Sequence, residues 1–198
     1  MYNLLRIIVC FFFKIFFFVK GDNIRVMEEN SITGGCIVAS NHISFLDPIF
    51  IGIFIRRHMY FMAKAEAFEI KLLAPIIRAL GAFPVHRDKV DITAVKNALK
   101  VLNSKNVLGI FPQGTRMSIE DSAKIKQGAV QFSYRTGCPI IPVGIHTKKG
   151  KVRIFRKVYV KFGEPIYLDR IGVTKSDSES MDKASEYLMS AIKELASD

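Results

Sequence analysis

Residues 36–48 read CIVASNHISFLDP and combine the signals of a strand, a loop and a helix. The run from Cys36 to Ser40 is almost wholly apolar, as in a strand that is buried on both faces of a parallel sheet. Asp47-Pro48 then opens an apolar helical segment, since Asp is a favoured N-cap and Pro fits the first helical turn. A buried strand, a polar loop and a helix in succession are typical of α/β proteins.

The same alternation continues on both sides of this stretch. Short β-rich runs predict further strands, the last of them as one or two strands, at residues 23–27, 59–63, 83–85, 107–111, 140–145 and 152–162. Apolar residues at helical spacing predict helices at residues 68–80 (with a kink at Pro75), 91–103, 126–135 and 178–195. We therefore predict an α/β fold with a mixed, largely parallel sheet flanked by helices, and a ligand site at the carboxyl ends of its strands.

The N-terminal segment is apolar, aromatic and basic. Leu4 to Val19 reads LLRIIVCFFFKIFFFV, interrupted only by Arg6 and Lys14. As a helix it is about 24 Å long, whereas the hydrocarbon core of a bilayer is about 30 Å thick. We expect residues 1–20 to form a membrane-associated helix that lies in the interface, followed by a single α/β domain at residues 21–198. A helix buried in the protein core is the alternative.

Composition narrows the classes of function further. A chain of 198 residues fits one domain, and its three cysteines are too few and too far apart for a disulfide scaffold or a cysteine-based zinc site. The 29 Lys and Arg residues outnumber the 18 Asp and Glu residues. This excess indicates an anionic partner, such as nucleic acid, a phospholipid surface or a phosphorylated substrate. The N-terminal segment favours phospholipid, and no nucleic-acid motif is present.

Polar residues suited to chemistry follow the predicted strand at residues 36–40. His42 and Asp47 lie in the loop between this strand and the next helix, where the chain can fold back and bring the carboxylate to the imidazole. Such a pair holds the imidazole in one tautomer and stabilises its charged form, as a general base requires. An N-capping Asp47 beside an unrelated His42 is the alternative.

Three further strand ends carry candidate ligands for an anion. FPQGTRM at residues 111–117 offers a glycine, a hydroxyl and the Arg116 guanidinium, all of which suit a phosphate. GAFPVHR at residues 81–87 ends on Arg87, and Lys64 directly follows the strand predicted at residues 59–63. Each of these cations is also compatible with an ordinary solvated surface.

Together these blocks resemble the lysophosphatidic acid acyltransferase family, the 1-acyl-glycerol-3-phosphate O-acyltransferases. NHISFLD, GAFPVHR and FPQGTRM resemble the first three family blocks, and CPIIPV at residues 138–143 resembles the fourth. Their order and approximate spacing agree over about residues 20–165. The chain departs from the pattern at Gln113, where the family normally carries Glu. An amide keeps an acceptor oxygen but loses the charge, so the identity of the acyl acceptor stays open.

The resemblance implies a role for each residue of the blocks. His42 is the general base, and Asp47 orients it. The candidates for stabilising the oxyanion are Lys64 and a backbone amide of the Gln113–Gly114 turn. Arg87 and Arg116 bind the phosphate of the acceptor. The substrate-binding candidates are Asn41, Ser44, Lys64, Arg87, Gln113, Gly114, Thr115 and Arg116.

The activity implied is transfer of a fatty acyl group from acyl-CoA or acyl carrier protein to the sn-2 hydroxyl of lysophosphatidic acid, which forms phosphatidic acid. We expect no metal, no cofactor beyond the acyl donor and no nucleic-acid partner. The expected location is the cytoplasmic face of the cell membrane, on the interface and in contact with phospholipid. The alternatives are an acyltransferase acting on glycerol 3-phosphate or another lysolipid, and a noncatalytic lipid-binding protein.

Overall fold

The computed structural model describes residues 2–28, 33–86, 91–114, 126–148 and 150–197. Within these residues seven strands form one sheet: β1 (Phe18–Asp22), β2 (Cys36–Ser40), β3 (Met59–Lys64), β4 (Ala82–Val85), β5 (Val107–Ile110), β6 (Ile140–His146) and β7 (Lys157–Phe162). The α-helices are α1 (Tyr2–Phe16), α2 (Arg25–Glu28), α3 (Asp47–Gly52), α4 (Ala74–Ala79), α5 (Ile92–Asn103), α6 (Gly128–Thr136) and α7 (Ser178–Ala196). A single 3-10 turn at Ala65–Phe68 follows β3.

The sheet confirms the predicted mixed, largely parallel topology. Its strand order is β1-β7-β6-β2-β5-β3-β4, with β2 at the centre. The strands from β6 to β4 are parallel to one another, whereas β7 runs antiparallel to β6 and parallel to β1. The carboxyl ends of β2 to β6 therefore share one edge of the sheet, and the amino ends of β1 and β7 lie at that same edge.

Two apolar layers cover the sheet, one on each face. Ile37 and Ala39 of β2 face the layer built from α5, α6 and α7. Cys36 and Val38 face the opposite layer, to which α3 contributes Phe50. All five residues of β2 are buried, as predicted for a central parallel strand. Burial on both faces explains why this strand reads as an apolar run with no alternation.

The N-terminal boundaries differ from the prediction. The first helix ends at Phe16, and residues 18–22 pair with β7 as an edge strand, so the proposed division after residue 20 falls inside β1. The strand predicted at residues 23–27 is wrong, because Asn23 has a positive φ of 50° and Arg25–Glu28 form a helical turn. Strand formation here is set by pairing with a segment far away in sequence, which local propensity does not report.

Two other segments are shorter than predicted. The helix expected at residues 68–80 is confined to Ala74–Ala79, and Pro75 lies in its first turn, where it causes no kink. Of residues 152–162 only Lys157–Phe162 form a strand. By contrast α6 ends before Gly137, as predicted; that glycine has a φ of +67°, which suits a residue without a side chain.

The membrane-spanning potential of the helices is low. The longest apolar helix, α1, has 15 residues. In the part of the chain that the structure describes, no helix is both long enough and apolar enough to cross a bilayer.

Candidate active site

His42 and Asp47 form a hydrogen-bonded pair at the carboxyl end of β2. The Nδ1 atom of His42 lies 2.8 Å from Oδ2 of Asp47. Asp47 is fully buried, and the His42 side chain is only 12% exposed. The N-cap position of α3 is Leu46, and Asp47 is the first helical residue. The alternative of an N-capping Asp beside an unrelated His is therefore wrong.

Three donors converge on one carboxylate oxygen of Asp47. Besides His42 Nδ1, the backbone N–H groups of Ile43 and Ser44 each donate to Oδ2 at 2.7 Å. An ionised carboxylate only accepts hydrogen bonds, so Nδ1 of His42 must carry the proton of the neutral ring. The other ring nitrogen, Nε2, then holds a lone pair on the side of the ring away from Asp47. That arrangement is what a general base needs.

The loop that carries His42 is tied to two other strands. Asn41 exchanges two hydrogen bonds of 2.7 Å with the backbone of Ile145 in β6. The Oε1 atom of buried Gln113, beyond β5, accepts a hydrogen bond of 2.9 Å from the His42 backbone N–H. The amide of Asn41 is buried and bonded to β6, and its predicted contact with the substrate stays a prediction. The side chain of Gln113 holds the catalytic loop.

Ser44 also has a local role. Its hydroxyl accepts a hydrogen bond of 3.2 Å from the Leu46 backbone N–H, which stabilises the turn between His42 and Asp47. The structure thus shows a loop contact for Ser44, and its contact with the substrate stays a prediction.

Phe111 is a site residue that sequence reasoning missed. Its ring stacks on the imidazole of His42, with centroids 4.2 Å apart and planes 22° apart. The stack restricts rotation of the imidazole and covers one of its faces. Its position could have indicated this role, because Phe111 directly follows β5 at the same edge of the sheet as Gln113. It was missed because only polar residues were considered as candidates.

Lys64 lies at the end of β3 and on the wall of the same cavity as His42. Its ammonium is paired with Glu66 at 2.7 Å, and both side chains are more than half exposed. The hydrogen bond from Lys64 lowers the pKa of the Glu66 carboxyl. The structure thus brings Lys64 near the site, with its charge already engaged by a neighbouring acid.

In the Gln113–Gly114 turn, one of the two backbone amides considered as oxyanion donors is already hydrogen-bonded. The N–H of Gly114 donates to the Phe111 carbonyl at 2.9 Å, so this amide is used inside the turn. Gly114 has a φ of +71°, and a Cβ there would lie 2.7 Å from Cε of Lys126. The backbone amide of Gln113 stays a prediction. The structure does not describe three of the predicted site residues, Arg87, Thr115 and Arg116, so their roles stay predictions.

A mostly apolar cavity of about 310 Å³ opens beside His42. Helix α1 contributes Val9 and Cys10 to its wall, α3 contributes Ile49, and β3 contributes Phe61. His42 and Phe111, whose rings are stacked on each other, also line this cavity. A buried His–Asp pair on the wall of an apolar cavity is suited to removing a proton from a hydroxyl next to a long apolar group.

Known proteins with similar sequences are acyltransferases. The family model described as Acyltransferase matches residues 19–146. A Bacillus subtilis 1-acyl-sn-glycerol-3-phosphate acyltransferase is 29% identical over 178 residues, which cover 88% of this chain and 88% of that protein. A Streptococcus pneumoniae protein of the same name is 29% identical over 179 residues, or 88% of this chain and 63% of that protein.

A solved structure shares the fold. The crystal structure of the 1-acyl-sn-glycerophosphate (LPA) acyltransferase PlsC from Thermotoga maritima matches with a TM-score of 0.66 and 24% sequence identity, covering 91% of this chain and 73% of that one. Because the family model spans well over half of the chain, this protein belongs to the acyltransferase family.

Proposed function

We propose that this protein transfers a fatty acyl group from an acyl thioester to the sn-2 hydroxyl of lysophosphatidic acid, forming phosphatidic acid. The observation that carries the proposal is the His42–Asp47 pair, with its buried carboxylate, on the wall of an apolar cavity. The names of the relatives from Bacillus subtilis and Streptococcus pneumoniae support the same substrate.

The geometry supports a direct transfer without a covalent enzyme intermediate. His42 Nε2 accepts the proton of the acceptor hydroxyl while the oxygen attacks the thioester carbonyl carbon. Asp47 stabilises the resulting imidazolium through Nδ1. When the tetrahedral intermediate collapses, the C–S bond breaks and the leaving thiolate takes the proton back from His42. A general base of this kind contributes roughly 10²–10⁴-fold to the rate.

The substitution at Gln113 does not favour a different acceptor. Its Oε1 atom accepts the hydrogen bond from the His42 N–H, a contact that needs an acceptor oxygen and no charge. An amide serves this contact as well as a carboxylate does. The names of the relatives then favour lysophosphatidic acid over glycerol 3-phosphate or another lysolipid. The resemblance assigns its phosphate to Arg87 and Arg116.

Membrane association is part of the proposal, and the exposed face of α1 supports it. Large apolar side chains that are 42–62% exposed recur four residues apart on one side of this helix: Ile7, Ile8, Phe11, Phe12, Ile15 and Phe16. The opposite side packs against the core through Phe13, whose ring contacts those of Phe17 and Phe50. A helix with one apolar face on the protein and a second facing outward is typical of interfacial membrane proteins.

We place the protein at the cytoplasmic face of the cell membrane. Cys10, Cys36 and Cys138 form no disulfide within the described residues, as is usual in a reducing compartment. The excess of lysine and arginine would meet the anionic headgroups of that leaflet. Either acyl-CoA or acyl carrier protein would serve as donor at this surface.

Thiol release from each donor is the direct test of the activity. Purified protein is incubated with palmitoyl-CoA or palmitoyl carrier protein, together with lysophosphatidic acid, lysophosphatidylcholine or glycerol 3-phosphate. We expect thiol release to depend on lysophosphatidic acid and to yield phosphatidic acid, and to disappear in the His42→Ala variant. Equal rates with lysophosphatidylcholine would contradict the proposed acceptor.

Sedimentation with vesicles tests the membrane role of α1 separately. In the variant Phe11→Ser/Phe12→Ser two exposed rings are lost, and we expect the affinity for vesicles to fall by at least about tenfold. Ile92→Ser is the matched control, because Ile92 is equally exposed but lies on α5. A double variant that binds as tightly as the control would refute interfacial docking through α1.

A further inference from the structure

A short turn before β7 presents large apolar side chains to solvent. We call residues 153–156, which are Arg153, Ile154, Phe155 and Arg156, the basic–aromatic turn. Ile154 is 58% exposed and Phe155 is 61% exposed. Their apolar surface is continuous with α1, because the rings of Phe155 and Phe16 lie 6.0 Å apart. The proposed acyl transfer chemistry uses none of these side chains.

The backbone of the turn holds Phe155 in an unusual conformation. Its φ is +59°, a left-handed value that is rare for aromatic residues and that the surrounding structure must maintain. The Phe155 N–H donates to the Phe16 carbonyl at 2.7 Å, and the Phe18 N–H donates to the Arg156 carbonyl at 3.3 Å. These bonds fix the turn to the end of α1 and hold the aromatic ring outward.

Positive charges flank the exposed apolar pair along the chain. Residues 147–163 contain no acidic residue, and their basic residues are Lys148, Lys149, Lys151, Arg153, Arg156, Lys157 and Lys161. Both arginines of the basic–aromatic turn are exposed. Apolar tips flanked by Lys and Arg match a membrane surface, which offers anionic headgroups above an apolar interior.

Strand direction places this turn at the catalytic edge of the sheet. β7 is antiparallel to β6, so the turn that precedes β7 lies at the edge where β2 and β6 end. His42 follows β2 at that edge. Two strand spacings, or about 10 Å, separate β7 from β2. Attachment through the turn would therefore direct the catalytic edge toward the attached surface.

We propose that the basic–aromatic turn is a second membrane-binding element, which inserts Ile154 and Phe155 into the interface of an anionic phospholipid bilayer while Arg153 and Arg156 bind its headgroups. The proposal rests on the membrane association proposed above and adds a contact outside α1. An acidic carrier protein would match the charges, but it gives no reason for two exposed apolar side chains next to the apolar face of α1. The bilayer is therefore the favoured partner.

A single tryptophan provides a direct test, because the natural chain contains none. The variant Phe155→Trp reports on the turn, and Tyr187→Trp is the matched control, since Tyr187 is 54% exposed on α7. Each variant is mixed with phosphatidylglycerol vesicles that carry bromine on their acyl chains. We expect a blue shift and strong quenching of the fluorescence of Phe155→Trp and no change in that of Tyr187→Trp.

The outcomes separate this inference from the proposed activity. Vesicle-bound Phe155→Trp protein that emits as in water would overturn the inference and leave docking through α1 intact. Protection of its tryptophan by an acidic carrier protein, without quenching by the bromolipid, would replace the bilayer with the carrier. Protein that does not sediment with vesicles at all would overturn both membrane proposals, whereas acyl transfer to dispersed lysophosphatidic acid would still be measurable.

Loss of the side chains gives an independent measurement. Ile154→Ser/Phe155→Ser should lower the partition coefficient into phosphatidylglycerol vesicles by at least about 20-fold, since full burial of one such side chain corresponds to roughly 10- to 150-fold. Tyr187→Ser should leave it unchanged. Arg153→Glu/Arg156→Glu should weaken binding to phosphatidylglycerol far more than binding to phosphatidylcholine. Double serine variants that bind like wild type would refute the proposal, and kcat on dispersed acceptor should stay within about twofold throughout.

Discussion

Replacing Asp47 by asparagine separates the charge of the carboxylate from its positioning role. Oδ2 accepts hydrogen bonds from His42 Nδ1 and from the N–H groups of Ile43 and Ser44. These two backbone donors demand an oxygen at that position, so the introduced amide should present its carbonyl there and keep His42 in its orientation and tautomer. The variant should therefore lose the negative charge and little else at the imidazole.

The structure gives the size of the expected effect. During transfer His42 becomes an imidazolium beside the fully buried Asp47. At a charge separation of about 4 Å and an effective dielectric constant of about 20, the attraction between the two is about 4 kcal/mol. Since about 1.36 kcal/mol corresponds to a factor of ten, Asp47→Asn should lower kcat by about 10³-fold. The KM for the acceptor should change by less than about threefold, because the charge pair exists only during the reaction.

Steady-state release of thiol from palmitoyl-CoA, with lysophosphatidic acid varied as dispersed acceptor, measures both constants. Asp182→Asn on α7 is the matched control, since this carboxylate is exposed and far along the chain from the site. The new amide NH₂ replaces Oδ1, which accepts no hydrogen bond from any described residue, so a loss of about 1–3 kcal/mol of stability is expected. A folded Asp47→Asn protein with kcat within tenfold of wild type would refute the role given to the charge.

Further substitutions test two other residues of the site and one residue of the core. Gln113→Ala leaves the His42 N–H without this acceptor and should lower kcat at least about tenfold, whereas Gln113→Glu keeps the oxygen and should stay within a few-fold of wild type in the same assay. Arg116→Ala should raise KM for lysophosphatidic acid and leave KM for palmitoyl-CoA unchanged, because a phosphate contact acts before and during the reaction; a defect confined to the donor would move Arg116 to the carrier's phosphates. Burial raises the pKa of Cys36 to about 11 from an ordinary value of 9.0, so between these pH values the unfolded chain loses a proton that the folded protein keeps. Stability should fall over that range, and urea titrations should show a smaller fall in Cys36→Ala than in wild type.

The pairing of His42 with Asp47 was predictable because two local rules agree. An apolar run before His42 predicts a buried strand, and residues at the carboxyl ends of parallel strands lie at the ligand-binding edge. The short separation from Asp47 lets a single turn join the two side chains. Both signals lie within residues 36–48, so no knowledge of distant segments was needed.

Contacts between distant segments were not predictable in this way. Asn41 binds the backbone of Ile145, and nothing in the sequence says that its amide faces β6 rather than a substrate. The pairing of residues 18–22 with β7 joins segments even farther apart in the sequence, and it turns the end of a predicted helix into an edge strand. Phe111 was passed over because an apolar residue near a strand end is usually part of the core.

The antiparallel direction of β7 brings the basic–aromatic turn to the same edge of the sheet as His42. If β7 ran parallel to β6, the turn before it would lie at the amino ends of the strands, on the far side of the sheet from His42. Because β7 is antiparallel and β1 is parallel to it, the end of α1 and the basic–aromatic turn both lie at the catalytic edge. Val9 and Cys10 of α1 also line the cavity beside His42. A bilayer bound through α1 and the turn would thus meet the side of the protein on which the cavity and His42 lie. An acyl chain would then pass from the bilayer into the cavity without crossing the sheet.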